Sequence, residues 1–138
     1  MSAGTLERAL AGLAAGRIGL GLLSRVAPRR AAQLFGAGYA ASPELDYITR
    51  VFGARAFALG SGYLLSEGES RRLWQRLAFA CDVSDTLAGI GDVRRGEVRR
   101  SAAVGAVLLT GGYAAIGAAR VARDLSGPAP APGSASPA

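Results

Sequence analysis

Two carboxylates and two guanidinium groups are the residues of this chain whose types and spacing could do chemistry. Asp82 and Asp85 lie inside LAFACDVSDTLAGIG, Leu77 to Gly91, which is otherwise apolar. Arg17 lies deep in a second apolar stretch and Arg55 in a third. The i, i+3 spacing puts both aspartates on one face of a helix. Such a set suits acid/base exchange between carboxyls, a hard-metal site, or ion pairing with the arginines. Metal is the poorest fit, because hard cations take about six oxygen ligands and too few are available here. No metal site is expected. Ion pairing already has its partners in the sequence.

Other chemistry is excluded residue by residue. The chain has no histidine, which removes Ser-His and Cys-His catalysis, imidazole metal ligands and a histidine haem ligand. Its single cysteine, Cys81, cannot form an intramolecular disulfide and reads as a small packing residue. GRIGLG, Gly16 to Gly21, falls inside a helix instead of following a strand, so it is not a dinucleotide loop. With no GxSxG and no CxxC, there is no candidate nucleophile. No enzyme activity and no cofactor are expected.

The elements that hold the four charged groups read as helices. In 138 residues there is room for one domain, assigned to 1–124, with 125–138 as a disordered Pro/Ala-rich tail. Four helices are expected, at about 6–26, 43–66, 71–91 and 97–122. Thr5 is the expected N-cap of the first, with Glu7 in its first turn. Ser42-Pro43-Glu44 opens the second, with a capping serine, proline at the first position and an acid behind it. Between them, Arg29, Arg30 and AAQLF form one or two helical turns, and GAGYAA reads as irregular. Trp74 sits at interfacial depth on the third helix. The run DVRRGEVRR is a loop before the fourth.

Twenty glycines are too many for a packed soluble helical protein, since each weakens a helix interior by up to about 1 kcal/mol relative to alanine. In membranes the same residues let helix backbones approach closely. Gly12, Gly16 and Gly19 form a small stripe expected to contact a neighbouring helix, and Gly53 and Gly60 are the matching packing positions on the second helix. Helix 4, uncharged over Ser101 to Ala119, has the roughly 20 residues that span a bilayer. Helices 1 and 2, with one arginine each, are acceptable spans. Helix 3 is not acceptable alone, because a central Asp opposes insertion by about 2.5–3.5 kcal/mol and a large apolar residue returns only about 0.3–0.6.

Depth resolves that conflict. In an up-down arrangement Arg17 lies eight residues above Ala9, and Asp82 eight above Trp74. Arg55 lies five below Arg50, and Asp85 six below Gly91. At about 1.5 Å per residue each pair matches in depth. The expected ion pairs are Arg17–Asp82 and Arg55–Asp85. The net charge of +6 comes from arginines that flank apolar runs, which suits anionic lipid headgroups and not nucleic acid. Loops after helices 1 and 3 hold eight arginines against six on the other side, which places both termini outside the cytoplasm by the positive-inside rule.

RIGLGLL, FGARAFALG and CDVSDTLAGIG together resemble a family of small bacterial four-helix integral membrane proteins, catalogued as domain of unknown function 4267. The resemblance covers Leu6 to Ala119. It implies an arginine in helix 1, a GxR element in helix 2 and an Asp-rich helix 3, which fall on Arg17, Gly53, Arg55, Gly60, Asp82 and Asp85. The family pattern has an acidic residue after the helix 2 arginine, where this chain has Ala56. No activity comes with the family.

The expectation is an all-α, four-helix up-down transmembrane bundle with a structural or accessory role, a homo-oligomer or a membrane protein as its partner, and an intramembrane polar site at Arg17, Arg55, Asp82 and Asp85. Two readings stand against it: a small proton-coupled transporter or ligand-binding unit using Asp82 and Asp85, and a soluble Ala/Gly-rich helical protein.

Overall fold

The computed structural model describes residues 2–34, 42–96 and 100–126, and these are all-helical with no strand among them. The helices are α1 (Ala3–Val26), α2 (Pro28–Leu34), α3 (Pro43–Leu65), α4 (Gly68–Arg95) and α5 (Arg100–Ser126). GAGYAA and the tail beyond Ser126 lie outside the described residues, so the expectations made for them have no structural counterpart.

The helix ends follow the expected local chemistry at α3 and depart from it at α1 and α4. Ser42 caps α3, its hydroxyl accepting the Leu45 N–H, and Pro43 takes the first position. The same hydroxyl hydrogen-bonds the Glu44 carboxylate, which together with a backbone N–H holds that group below the usual carboxylate range. At α1 the cap is Ser2 and not Thr5: the Thr5 N–H donates to Ser2 Oγ, and the helix begins two residues before Thr5. Helix α4 does not stop at Gly91. It continues to Arg95 and ends on Gly96, whose φ of +69° is open to glycine and costly for other residues. An Asp92–Arg95 ion pair supports that last turn, so half of the expected arginine loop is helix. The turns expected around Arg29 and Arg30 are α2, tied to α3 by Arg29 Nε to Asp46 at 3.3 Å.

Each long helix packs against the next in antiparallel fashion. In α1 and α3, Ser24 and Gly21 face Gly53, while Ala14 and Arg17 face Gly60. Rising along one helix therefore means descending along the other. Gly62 of α3 lies against Trp74 of α4, whereas Arg55 meets Asp85 further along. In α4 and α5, Phe79 meets Gly117, and Thr86 meets Thr110. The most extensive seams are α1 with α3 and α4 with α5.

The α1–α3 seam is so close that side chains are excluded from it. A Cβ on Gly53 would lie 2.5 Å from Ser24 Cβ, and one on Gly60 would lie 2.5 Å from the Ala14 carbonyl oxygen. The opposing partner of Gly53 is Gly21, whose own Cβ would sit 2.7 Å from the Gly53 carbonyl oxygen. Gly53 and Gly60 are therefore packing positions as expected. Of the stripe expected on α1, only Gly16 faces a neighbouring helix, through Tyr113 of α5, and the other two positions are a correction. Gly12 and Gly19 have open space around them. The buried stripe of α1 is Leu6, Leu10, Ala14, Gly21 and Ser24, with Arg17 in register on it. Helix α1 is rich in small residues all round, so several small stripes compete. Burial of Leu6 and Leu10 and the reach of Arg17 toward α4 select the rotation.

Helix α1, over Gly4–Val26, and helix α5 are long and apolar enough to cross a membrane. By the same measure α3 and α4 fall short. The apolar run of α3 extends only from Val51 to Leu65 and carries Arg55, while its first two turns are polar.

Candidate polar site between the helices

The four charged residues converge from three helices. Arg17 of α1 pairs with Asp82 of α4, and Arg55 of α3 pairs with Asp85 one turn along the same α4 face. These are the two pairings that helix depth predicted. Their surroundings differ. The side chains of Arg17 and Asp82 are 12% and 5% exposed, those of Arg55 and Asp85 41% and 27%. Asp82 is therefore enclosed by the helices, and Arg55 lies on their outer rim.

Aromatic rings complete both guanidinium environments. The Arg17 guanidinium lies over Tyr113 of α5, 4.5 Å from the ring centroid. Arg55 lies over Phe52, one turn earlier on its own helix, at 5.3 Å. A cation near a ring face gains from the ring's quadrupole, more when water is excluded. The inner pair thus draws α1, α4 and α5 together.

Uncharged polar groups surround this centre. The Thr86 hydroxyl donates to Thr110 across the α4–α5 seam at 2.9 Å, and Thr110 donates to the Ala106 carbonyl at 2.9 Å. Below the aspartates, buried Gln75 donates from Nε2 to the Gly117 carbonyl at 3.2 Å. Its Oε1 is buried and has no donor among the described residues. Tyr113, Gln75 and Thr110 lie outside the four charged residues that the sequence marks. Tyr113 and Thr110 lie in an uncharged stretch that reads as plain membrane helix, and Gln75 falls among the charges that open α4. Only a helical-face count from Asp82, seven residues after Gln75, marks Gln75 as facing the same way.

The end of the bundle near Gln75 carries a second charged group. Arg120 of α5 pairs with Glu7 of α1 and, through Nε, with Asp124 at 3.0 Å. Arg71 donates to the Ser66 carbonyl at 2.7 Å and lies over Tyr63. Beneath these, Leu6, Leu10, Ala14 and Tyr63 form a small apolar cluster, with Trp74 and Ile116 against it. Cys81 is a free thiol, partly buried beside the aspartates.

No protein-family model, curated protein or solved structure matches the chain. Its class is therefore set by its own geometry: an all-helical protein with two long apolar helices and a charged centre shared by three helices.

Proposed function

We propose that the chain is a small integral membrane protein, its four long helices forming an up-down bundle across the bilayer. In it, the Arg17–Asp82 and Arg55–Asp85 pairs fix helix register, and its role is structural or accessory. The observation that carries this reading is the reversal of polarity between interior and surface. The buried positions include Asp82, Gln75, Ser24 and Thr110 among alanines and glycines, and Leu6, Leu10, Leu59 and Tyr63 are the large apolar residues there. The large apolar residues Leu22, Phe57, Leu64, Leu77, Leu87 and Leu108 are exposed along all four long helices. A water-soluble bundle drives its large apolar residues inward. A bundle in lipid has no such drive, and packs instead through small residues and polar contacts.

The charge layout supports the same reading. From Arg8 to Arg25 on α1, Arg50 to Glu67 on α3, Arg76 to Asp92 on α4 and Arg100 to Arg120 on α5, the charges enclosed are the two pairs alone. These intervals hold fifteen to nineteen residues, or roughly 22–28 Å of helix. That is slightly less than the ~30 Å hydrocarbon layer, and flanking arginines reach past the difference by extending toward headgroups. Unpaired, each central charge opposes insertion by about 2.5–3.5 kcal/mol, so α4 enters the bilayer only together with its arginine partners. Such a bundle is of the kind the family resemblance suggests, with anionic lipid as its first partner.

Membrane fractionation followed by an alkaline carbonate wash tests the proposal. Retention in the pellet until detergent is added is the expected result. Release by carbonate would return the soluble helical reading, with Leu108 and its neighbours as a surface seeking a protein partner.

A further inference from the structure

Three cavities lie end to end along the polar face of α4, and they share walls. The outermost, of about 250 Å³, opens at the charged end between Glu7, Arg71 and Arg120, with Gln75 and Tyr63 as its floor. Those two residues, with Leu10, also wall the next cavity, of about 30 Å³, whose far side is Arg17, Asp82 and Tyr113. The same three residues close the near side of a third cavity, of about 20 Å³, which extends to Arg55 and Asp85. Each inner space exceeds the ~10–15 Å³ that one water requires.

We propose that these cavities hold a chain of water, so that Asp82 exchanges with bulk solvent from the Glu7–Arg120 end while lipid surrounds the bundle. This rests on the membrane reading above, since in water a wet crevice would signify little. Three observations carry it. Gln75 Oε1, buried and without a donor among the described residues, belongs to the wall between the outer and middle cavities, where a water supplies the missing hydrogen bond. The middle cavity is lined by Gln75, Asp82, Arg17 and Tyr113, enough polar side chains for the two to four partners that hold a buried water. Lastly, among the described residues Asp82 accepts from a single donor side chain, Arg17, and a carboxylate has about four acceptor sites to fill. The ligand is water and the hydrated proton it carries. Asp82 is the group they reach.

Radiolytic hydroxyl-radical footprinting of the full chain in lipid nanodiscs tests this directly, because radicals formed from bound water oxidise only adjacent side chains. Phe79, which lines the middle cavity, is partly buried, and Phe57, which rises from the edge of the α1–α3 seam, is 41% exposed. The expected result inverts exposure: Phe79 and Tyr113 oxidise faster than Phe57, by about threefold or more if ordered water sits against them. Gln75→Leu, which removes the orphan acceptor, should bring Phe79 down toward Phe57. If Phe79, Tyr113 and Phe57 are all protected, the cavities are dry and the inference fails while the membrane reading survives. If Phe57 oxidises fastest, that edge is in water and both readings fall together.

Discussion

Two arginine–aspartate pairs, one turn apart on the same helix, have identical chemistry and different enclosure. Arg17–Asp82 is covered by α1, α4 and α5, whereas Arg55–Asp85 sits at the edge of the α3–α4 seam with Arg55 41% exposed. In the proposed bilayer placement their depth differs as well. Arg17 is eight residues from Arg25 and nine from Arg8, roughly 12–13 Å from either charged end. Arg55 is five residues from Arg50, roughly 7–8 Å, within reach of a side chain that extends toward headgroups. The inner arginine therefore has one partner available. The outer one has an alternative. An ion pair locks a bundle only where neither charge has anywhere else to go.

The sharpest way to break this comparison is to remove each carboxylate in turn. Asp82→Asn leaves the Arg17 guanidinium buried without its counter-charge, and should cost about 3–5 kcal/mol. Asp85→Asn lets Arg55 turn toward the headgroups and should cost less, about 1–3 kcal/mol. Thermal unfolding in detergent, read by loss of the monodisperse peak, measures both. The double change Arg17→Asp with Asp82→Arg should recover part of the Asp82→Asn loss, since the charges remain paired. Equal losses for the two single variants would mean that enclosure does not set the strength of the lock. A loss near zero at Asp85 is what a pair facing water gives, because exposed pairs contribute about 0–1 kcal/mol.

The second contrast sets the glycines that hold Arg17 in place against those beside it. Gly60 touches the α1 backbone and the Arg17 side chain, where an added Cβ would be 3.1 Å from Arg17 Cβ and 2.5 Å from the Ala14 carbonyl. Gly60→Ala must spread the seam and should cost about 1–3 kcal/mol. Gly12 and Gly19 have nothing within 4 Å, so alanine there relieves a helix-interior glycine and should stabilise by up to about 1 kcal/mol. The same melting measurement in each single variant decides. Destabilisation by Gly12→Ala would place a helix from a second copy on that stripe.

These glycines also show how far the sequence could be read. The ion pairs were legible because each charge is a single costly residue in an apolar stretch, and charges at matched depth leave few ways to combine. The glycine stripe is ambiguous in the sequence because α1 offers small residues on every face, so spacing alone does not define a rotation. Arg17 defines it, since the face that carries Arg17 toward Asp82 also carries Ala14, Gly21 and Ser24. The C-terminal end of α4 departs from the expectation for a different reason. Gly91 looks like a terminus, but the Asp92–Arg95 pair and the left-handed Gly96 favour one more turn. Tyr113 needs the tertiary arrangement, because nothing in an uncharged helix shows which ring lies over a guanidinium, whereas Gln75 is marked only by its seven-residue spacing from Asp82.

Tyr113 provides the smallest and most specific test of the comparison. Tyr113→Leu removes the ring 4.5 Å from Arg17, and Phe52→Leu removes the ring 5.3 Å from Arg55. A cation–ring contact contributes about 0.5–1 kcal/mol where solvent reaches it and about 2 where it does not. The inner substitution should therefore cost about twice the outer one, beyond the packing area lost in both. A cycle combining Tyr113→Leu with Arg17→Met isolates the contact from that packing loss, because the interaction energy remains after the two single effects are subtracted. A coupling of about 1–2 kcal/mol at Tyr113 and below about 1 at Phe52 would extend the difference in enclosure from the carboxylates to the rings. If the Phe52 coupling is the larger, Arg55 is the better shielded guanidinium, and the ranking of the two pairs reverses.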